Sequence, residues 1–327
     1  MGLFEKLYTL IIFLAVIVGI SIGQVELIRA NAESFIVPLL VAMLYITFLQ
    51  IPMEDIKTAF KNIKFTYTSV IINFVWTPIF AWLLAMLFLG DNPALYIGFI
   101  MLMVTPCTDW YIIFTGIAKG NVALSTAILP LNLILQIILL PLYLLIFGGK
   151  AGVIELSFLV ESILIALFIP LVLATLTKML LKNKQELRDN LISNLSVLPI
   201  IFLSLAIIAM FASQGQLLMD NLDLMWQITI PILLFFIINF FVGQKIGQFM
   251  KFQNSDRASL SLTTLARNSP IALAIAMTAF PEQPLIALTL VIGPLIELPI
   301  LAIITQILLF ISKNKSTKTT QKHTSIK

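Results

Sequence analysis

Charge is scarce in this chain. Only 11% of its 327 residues are Asp, Glu, Lys or Arg, against roughly a quarter in a soluble globular protein. With 60% hydrophobic residues and a mean hydropathy of +1.05, the chain has too little polar surface to face water and must use lipid as its solvent. Cysteine and histidine are scarcer still, with one of each. A single cysteine excludes an intramolecular disulfide and any multi-cysteine metal site. The only histidine, His323, stands in a polar tail, so a catalytic metal site built from several His, Cys or carboxylate ligands lacks material. No metal, no cofactor and no nucleic-acid partner is expected, and no loop is long enough for a soluble domain.

What the chain does have is long apolar runs. A spanning helix needs about 20 mainly apolar residues. Ten runs qualify, over residues 7–23, 34–50, 66–90, 93–116, 121–147, 153–178, 191–212, 224–245, 258–280 and 285–312. The first does not read as a signal peptide, because only Lys6 precedes it and no small-residue cleavage site follows. Residues 1–312 are expected to form one transmembrane domain. Residues 313–327, polar and basic, are expected to form a disordered cytoplasmic tail.

Basic residues favour the cytoplasmic side of a membrane protein. Counted over alternate loops and the two ends, seventeen lysines and arginines fall on one side and two, Arg29 and Lys150, on the other, while Arg267 falls inside a span. Ten helices with both termini cytoplasmic, in the cell membrane, account for this asymmetry.

Sliding the chain by 164 residues brings Thr105-Pro106 onto Ser269-Pro270 and "ALSTAILPL" (123–131) onto "ALTLVIGPL" (287–295). Span four then meets span nine and span five meets span ten. Five helices per half is an odd number, so the halves, about 7–147 and 153–312, lie in opposite orientations. The expected fold is therefore all-α, with two inverted five-helix repeats and helices four and nine broken and crossing, an arrangement found in many secondary transporters.

Polar residues interrupt the spans at one depth. At 1.5 Å per residue, Cys107 lies about 21 Å into span four, Arg267 about 15 Å beyond Arg257, and Glu297 about 18 Å into span ten. In a core ~30 Å thick these are central positions, shared by Asp109, Asn132 and Asn268. Ionisable groups there are functional candidates by default, and backbone opened by a proline is tolerated where it lines a cavity. Pro106 and Pro270 mark the helix breaks. The polar groups around them, Thr105, Cys107, Thr108, Arg267, Asn268 and Ser269, are the candidate substrate ligands, and Asp109 and Glu297 the candidate proton carriers. Asp109 and Arg267 are either a structural ion pair across the repeat or part of the substrate site. Asn132, Gln136 and Asn239 read as hydrogen-bonding glue between helices.

The motifs "TPCTDW" (105–110), "AKGNVAL" (118–124), "ALAIAMTAF" (272–280) and "VIGPLIELPIL" (291–301) resemble the arsenical-resistance permeases, arsenite efflux carriers within the bile acid:sodium symporter superfamily. The resemblance spans essentially the whole chain and implies ten helices in a five-plus-five repeat. It implies that Cys107 and Glu297 are the functional pair, and that the activity is export of arsenite or antimonite driven by proton entry. Arsenite near neutral pH is an uncharged hydroxide with a soft arsenic centre, and soft centres prefer thiolate sulfur. One cysteine would bind it reversibly, while Glu297 would hold a proton when occluded and release it when exposed.

Asp109 and Arg267 depart from the family pattern, which has a small apolar residue and a Ser/Asn-rich stretch there. A sodium- or proton-coupled carrier of a small organic anion, with Arg267 binding its carboxylate, is the alternative. Sodium coupling fits less well, because "WYIIF" after Asp109 offers few oxygen ligands. An enzyme using Asp109 and Glu297 would need a substrate-positioning motif that the chain does not contain. Topology supplies a first prediction. Reporter fusions at the C-terminus and after Lys184 should report cytoplasm and a fusion after Asp220 the outside; a cytoplasmic Asp220 would overturn the ten-helix arrangement.

Overall fold

The structure, a computed structural model, describes residues 3–51, 60–108, 110–148, 161–162, 164–182, 184–195, 197–220 and 222–324. Every regular element among them is a helix, and one isolated bridge is the only extended pairing. In chain order the helices are α1 (Leu3–Ile22), α2 (Glu26–Gln50), α3 (Phe60–Leu89), α4 (Pro93–Val104), α5 (Trp110–Ile117), α6 (Val122–Gly148) and α7 (Leu164–Leu180). There follow α8 (Gln185–Asn194), α9 (Leu198–Asp220), α10 (Leu222–Phe249), α11 (Asn254–Leu265), α12 (Ser269–Ala279) and α13 (Pro284–Thr324).

Six helical stretches among the described residues are long and apolar enough to cross a bilayer. Four shorter apolar helices, Leu10–Ile22, Pro93–Val104, Leu164–Leu180 and Ser269–Ala279, fall where spans one, four, six and nine were expected. Spans four and nine are short because each is interrupted. Large apolar side chains such as Phe241 and Ile303, 59% and 61% exposed, fit a lipid-facing surface better than a watery one.

Asparagine starts four of these helical segments. The side chains of Asn62, Asn92, Asn121 and Asn268 accept from the backbone N–H three residues on, at 3.1–3.2 Å, satisfying donors that a first turn leaves orphaned. Prolines open carbonyls that other side chains then close. Pro78 has no N–H to give to Phe74, four residues before it. There α3 relaxes into a π-helical turn (Ile72–Trp76), and the Tyr143 hydroxyl donates to the Phe74 carbonyl. Pro294 likewise frees the Leu290 carbonyl, and the Ser269 hydroxyl donates to it.

Two groups of helices result. α1, α2, α7 and α9 pack on one another, while α3–α6 and α10–α13 form the second group, and α12 reaches across to touch α2 and the start of α7. Small residues let both groups pack closely. A Cβ on Gly23 would lie 2.5 Å from the Ala212 carbonyl oxygen, and one on Gly98 would lie 2.8 Å from Thr289 Cβ.

Three expectations change. α13 continues through the basic tail to Thr324, where disorder was expected; the tail contains neither proline nor glycine to stop a helix. A short helix, α8, forms in the loop after span six. Arg257, assigned to a cytoplasmic loop, is buried on α11 and donates to Gln244 Oε1, because α11 begins before it, at Asn254. Close packing gives the second prediction. Gly98→Val should cost about 1–3 kcal/mol by overpacking, read as a lower thermal midpoint in detergent, and an unchanged midpoint would contradict the α4–α13 contact.

Candidate functional site

The two interruptions meet. α4 ends at Val104, and Thr105 turns extended (φ −103°, ψ 99°); α11 ends at Leu265, and Ala266 does the same (φ −68°, ψ 136°). The freed strands pair antiparallel at Pro106 and Arg267. The Cys107 N–H donates to the Ala266 carbonyl at 2.9 Å and the Asn268 N–H to the Thr105 carbonyl at 2.7 Å. Antiparallel pairs alternate between hydrogen-bonded and non-hydrogen-bonded positions, and Pro106–Arg267 is of the second kind. Proline's missing donor therefore costs nothing there. The Arg267 N–H points outward and is taken by Glu297 Oε1 at 2.8 Å.

Arg267 is only 1% exposed. Its Nε donates to the Leu265 carbonyl at 3.0 Å and one terminal nitrogen to the Met103 carbonyl at 2.8 Å. The other terminal nitrogen donates to Asn73 Oδ1 at 3.2 Å and to the Thr264 carbonyl. Four of the five guanidinium N–H groups are thus used. The Phe235 ring lies 5.5 Å from Cζ, at cation–π distance. Glu297 and Cys107, both 3% exposed, are buried at the same crossing.

A cavity of about 180 Å³ opens on the other side of the crossing. Thr47 and Gln50 of α2 and Leu203 of α9 form one wall; Thr108, Trp110 and Asn268 belong to the other. That second wall consists of the starts of α5 and α12, whose N-terminal ends carry partial positive charge. The ends of α4 and α11, which carry partial negative charge, surround Arg267. The two breaks therefore sort the field, with helix N-termini toward the cavity and C-termini toward the buried cation.

The expected ligands separate accordingly. Thr108 and Asn268 line the cavity and are joined by an Asn268 Nδ2 to Thr108 Oγ1 bond of 3.1 Å. Thr105 donates instead to the Met101 and Leu102 carbonyls of its own helix, and Ser269 to Leu290. Cys107 is buried at the paired segment, and Arg267 binds backbone oxygens in this conformation. Pro106 lies in the extended pair, whereas Pro270 stands in the first turn of α12 and starts that helix. Asp109 lies outside the described residues. Among those described, no three His, Cys, Asp or Glu side chains gather as a metal site.

Asn239 accepts from Trp76 Nε1 at 2.7 Å, as hydrogen-bonding glue should. Asn132 and Gln136 do not: both are buried, and neither amide finds a partner among the described residues. Sequence reasoning missed Asn73 and Phe235. A signal for Asn73 was available, since Ser69, Asn73 and Thr77 recur every four residues on span three.

A multi-helix membrane protein with two broken helices bonded to each other beside a cavity has the build of a transporter. Residues 37–221, more than half of the chain, match the sodium bile acid symporter family, and the chain belongs to it. It is 24% identical over 275 residues to the arsenical-resistance protein Acr3 of Corynebacterium glutamicum, covering 80% of this chain and 74% of that one. It is 22% identical over 332 residues to the protein of the same name from Alkaliphilus metalliredigens, covering 94% and 92%. An uncharacterized transporter of Synechocystis sp. is 24% identical over 341 residues, covering 94% and 88%.

The third prediction concerns Asn268, which caps α12 and holds Thr108. Asn268→Ala should cost about 1–2 kcal/mol through the lost cap. Asn268→Ser, which keeps a capping oxygen, should lose less. Equal thermal midpoints for the two variants would show that the cap carries no stability.

Proposed function

We propose that the protein is a proton-coupled secondary transporter that exports arsenite, antimonite or similar solutes through a central site reached alternately from each side. The observation that carries this reading is the placement of Cys107. It is the chain's only thiol, and it sits in the extended segment where the broken helices pair, one residue before a side chain that lines the cavity. The arsenical-resistance names of two relatives agree with a thiol at this point.

In this mechanism ten helices cross the cell membrane as two inverted repeats, with both termini cytoplasmic. The arsenic hydroxide enters the cavity, where Thr108 and Asn268 offer hydrogen bonds to its hydroxyls. Cys107 then exchanges its thiol proton for a reversible bond to arsenic, and the hydroxide lost from arsenic leaves as water with that proton. Hydrolysis by one water, which gives its hydroxide to arsenic and its proton to sulfur, reverses the step and releases the cargo. Glu297, which accepts from the Arg267 backbone at the crossing, carries the coupling proton, and Asp109 is a second candidate carrier. A single-thiol site suits transport, because three thiolates would hold arsenic too tightly to let it go.

A specific observation favours a second reading. The cavity faces the N-termini of α5 and α12, which is also the polarity that would receive a small organic anion. The two readings part at Cys107, which supplies the fourth prediction. Cys107→Ser keeps the volume but replaces a soft donor with a hard one, so arsenite resistance and uptake into everted vesicles should be lost while membrane protein levels stay unchanged. Glu297→Gln should also stop coupled transport, since an amide carries no exchangeable acidic proton. Undiminished arsenite transport by Cys107→Ser would sink the soft-ligand mechanism, whereas a wild-type protein that moves a small organic anion and no arsenite would favour the second reading.

A further inference from the structure

Helix C-termini end in carbonyls with no partner of their own, and they attract cations. Here two such ends converge inside the protein. The carbonyls of Met103 from α4 and of Thr264 and Leu265 from α11, together with Asn73 Oδ1 from the π-helical turn of α3, point at one place. Glu297 stands beside it, held by the Arg267 backbone N–H. Three carbonyls and an amide oxygen form a set of hard oxygen donors around the guanidinium, while the Glu297 carboxylate is bonded to the backbone of the same residue. Such oxygens replace the hydration shell of a monovalent cation, and unwound carbonyls at half-helix ends hold coupling cations in other carriers.

In this chain the place is filled covalently. The guanidinium of Arg267 occupies it with four hydrogen bonds and the Phe235 face at 5.5 Å, and a guanidinium does not give up its charge. We propose that Arg267 is a tethered cation permanently occupying a monovalent-cation site, so that the carrier cycles without sodium or potassium there, and that shortening Arg267 opens the site to a free cation. The proposal rests on the reading of the chain as a coupled transporter, though not on which solute it carries.

The test is cation binding without any substrate, so its outcome is separate from the identity of the cargo. Thermal midpoints of purified wild type and Arg267→Ala would be compared in choline chloride, sodium chloride, potassium chloride and millimolar guanidinium chloride at matched ionic strength. Choline is too bulky for a space shaped to a guanidinium. Wild type should melt alike in sodium, potassium and choline. Arg267→Ala should melt lower in choline and recover about 2 °C or more in at least one small cation, saturating as its concentration rises. Should the alanine variant not fold, Arg267→Gln carries the same comparison, because its amide leaves the oxygens without a cation. Arg267→Lys, which returns a charge to the site, should show no such recovery. A variant lacking the charge that melts identically in every salt would overturn the proposal. So would a wild-type protein that is itself selectively stabilised by sodium, or whose transport in vesicles falls tenfold when sodium is replaced by choline.

Discussion

Backbone amides cannot be left unpaired in hydrocarbon, where each unsatisfied group costs several kcal/mol. A helix that stops in mid-membrane exposes several at once. In this protein two helices stop, and each supplies what the other lacks: Thr105 and Ala266 provide the carbonyls that Asn268 and Cys107 need. Neither break would survive alone. The pairing also explains why a proline can stand so deep in the fold, since Pro106 occupies the one register position from which no donor is asked. From that register follow the outward-facing N–H of Arg267, its acceptance by Glu297, and the seating of both half-helix N-termini on the cavity.

The charges follow the same logic. A buried arginine is costly unless its donors are met, and Arg267 finds acceptors only because α4 and α11 end nearby with carbonyls to offer. Cation and broken helices stabilise one another, which makes Arg267 part of the scaffold as much as part of any transport chemistry. Glu297 and Cys107 are buried at the crossing, whereas Thr108 and Asn268 bring neutral polar groups to the cavity.

Much of this was legible in the residues. The apolar runs located the helices, and Pro106, Pro270 and the polar letters around them located the breaks, because a proline or an ionisable group inside a span is costly and seldom stands there without a structural role. The 164-residue offset set span four against span nine, the two spans that prove to be interrupted, although the residues that pair are Pro106 and Arg267 rather than the two prolines. Division of labour was not legible. Thr105 and Ser269 look like ligands in a sequence, but their hydroxyls close carbonyls that only a three-dimensional path exposes; the Leu290 carbonyl is open because of Pro294, twenty-five residues beyond Ser269. Asn73 was hidden for a related reason. Its helix reads as continuous, and the π-helical turn that carries it arises from Pro78 together with a tyrosine on another helix. Arg257 was misplaced because a basic residue near a span end is usually solvated, and here Gln244 draws it inside.

The crossing also settles where the molecule can give way. Its two extended segments are joined by backbone bonds, bridged by Asn268 and Thr108, and bolted from behind by a guanidinium reaching α3, α4 and α11. A joint fastened on three sides is a poor hinge. The seam between α12 and α2 is of another kind: the two helices pack across it without a backbone bond between them, and a cavity interrupts it. Mechanical compliance should therefore concentrate along that seam, with the second helical group sliding as one rigid block past the first.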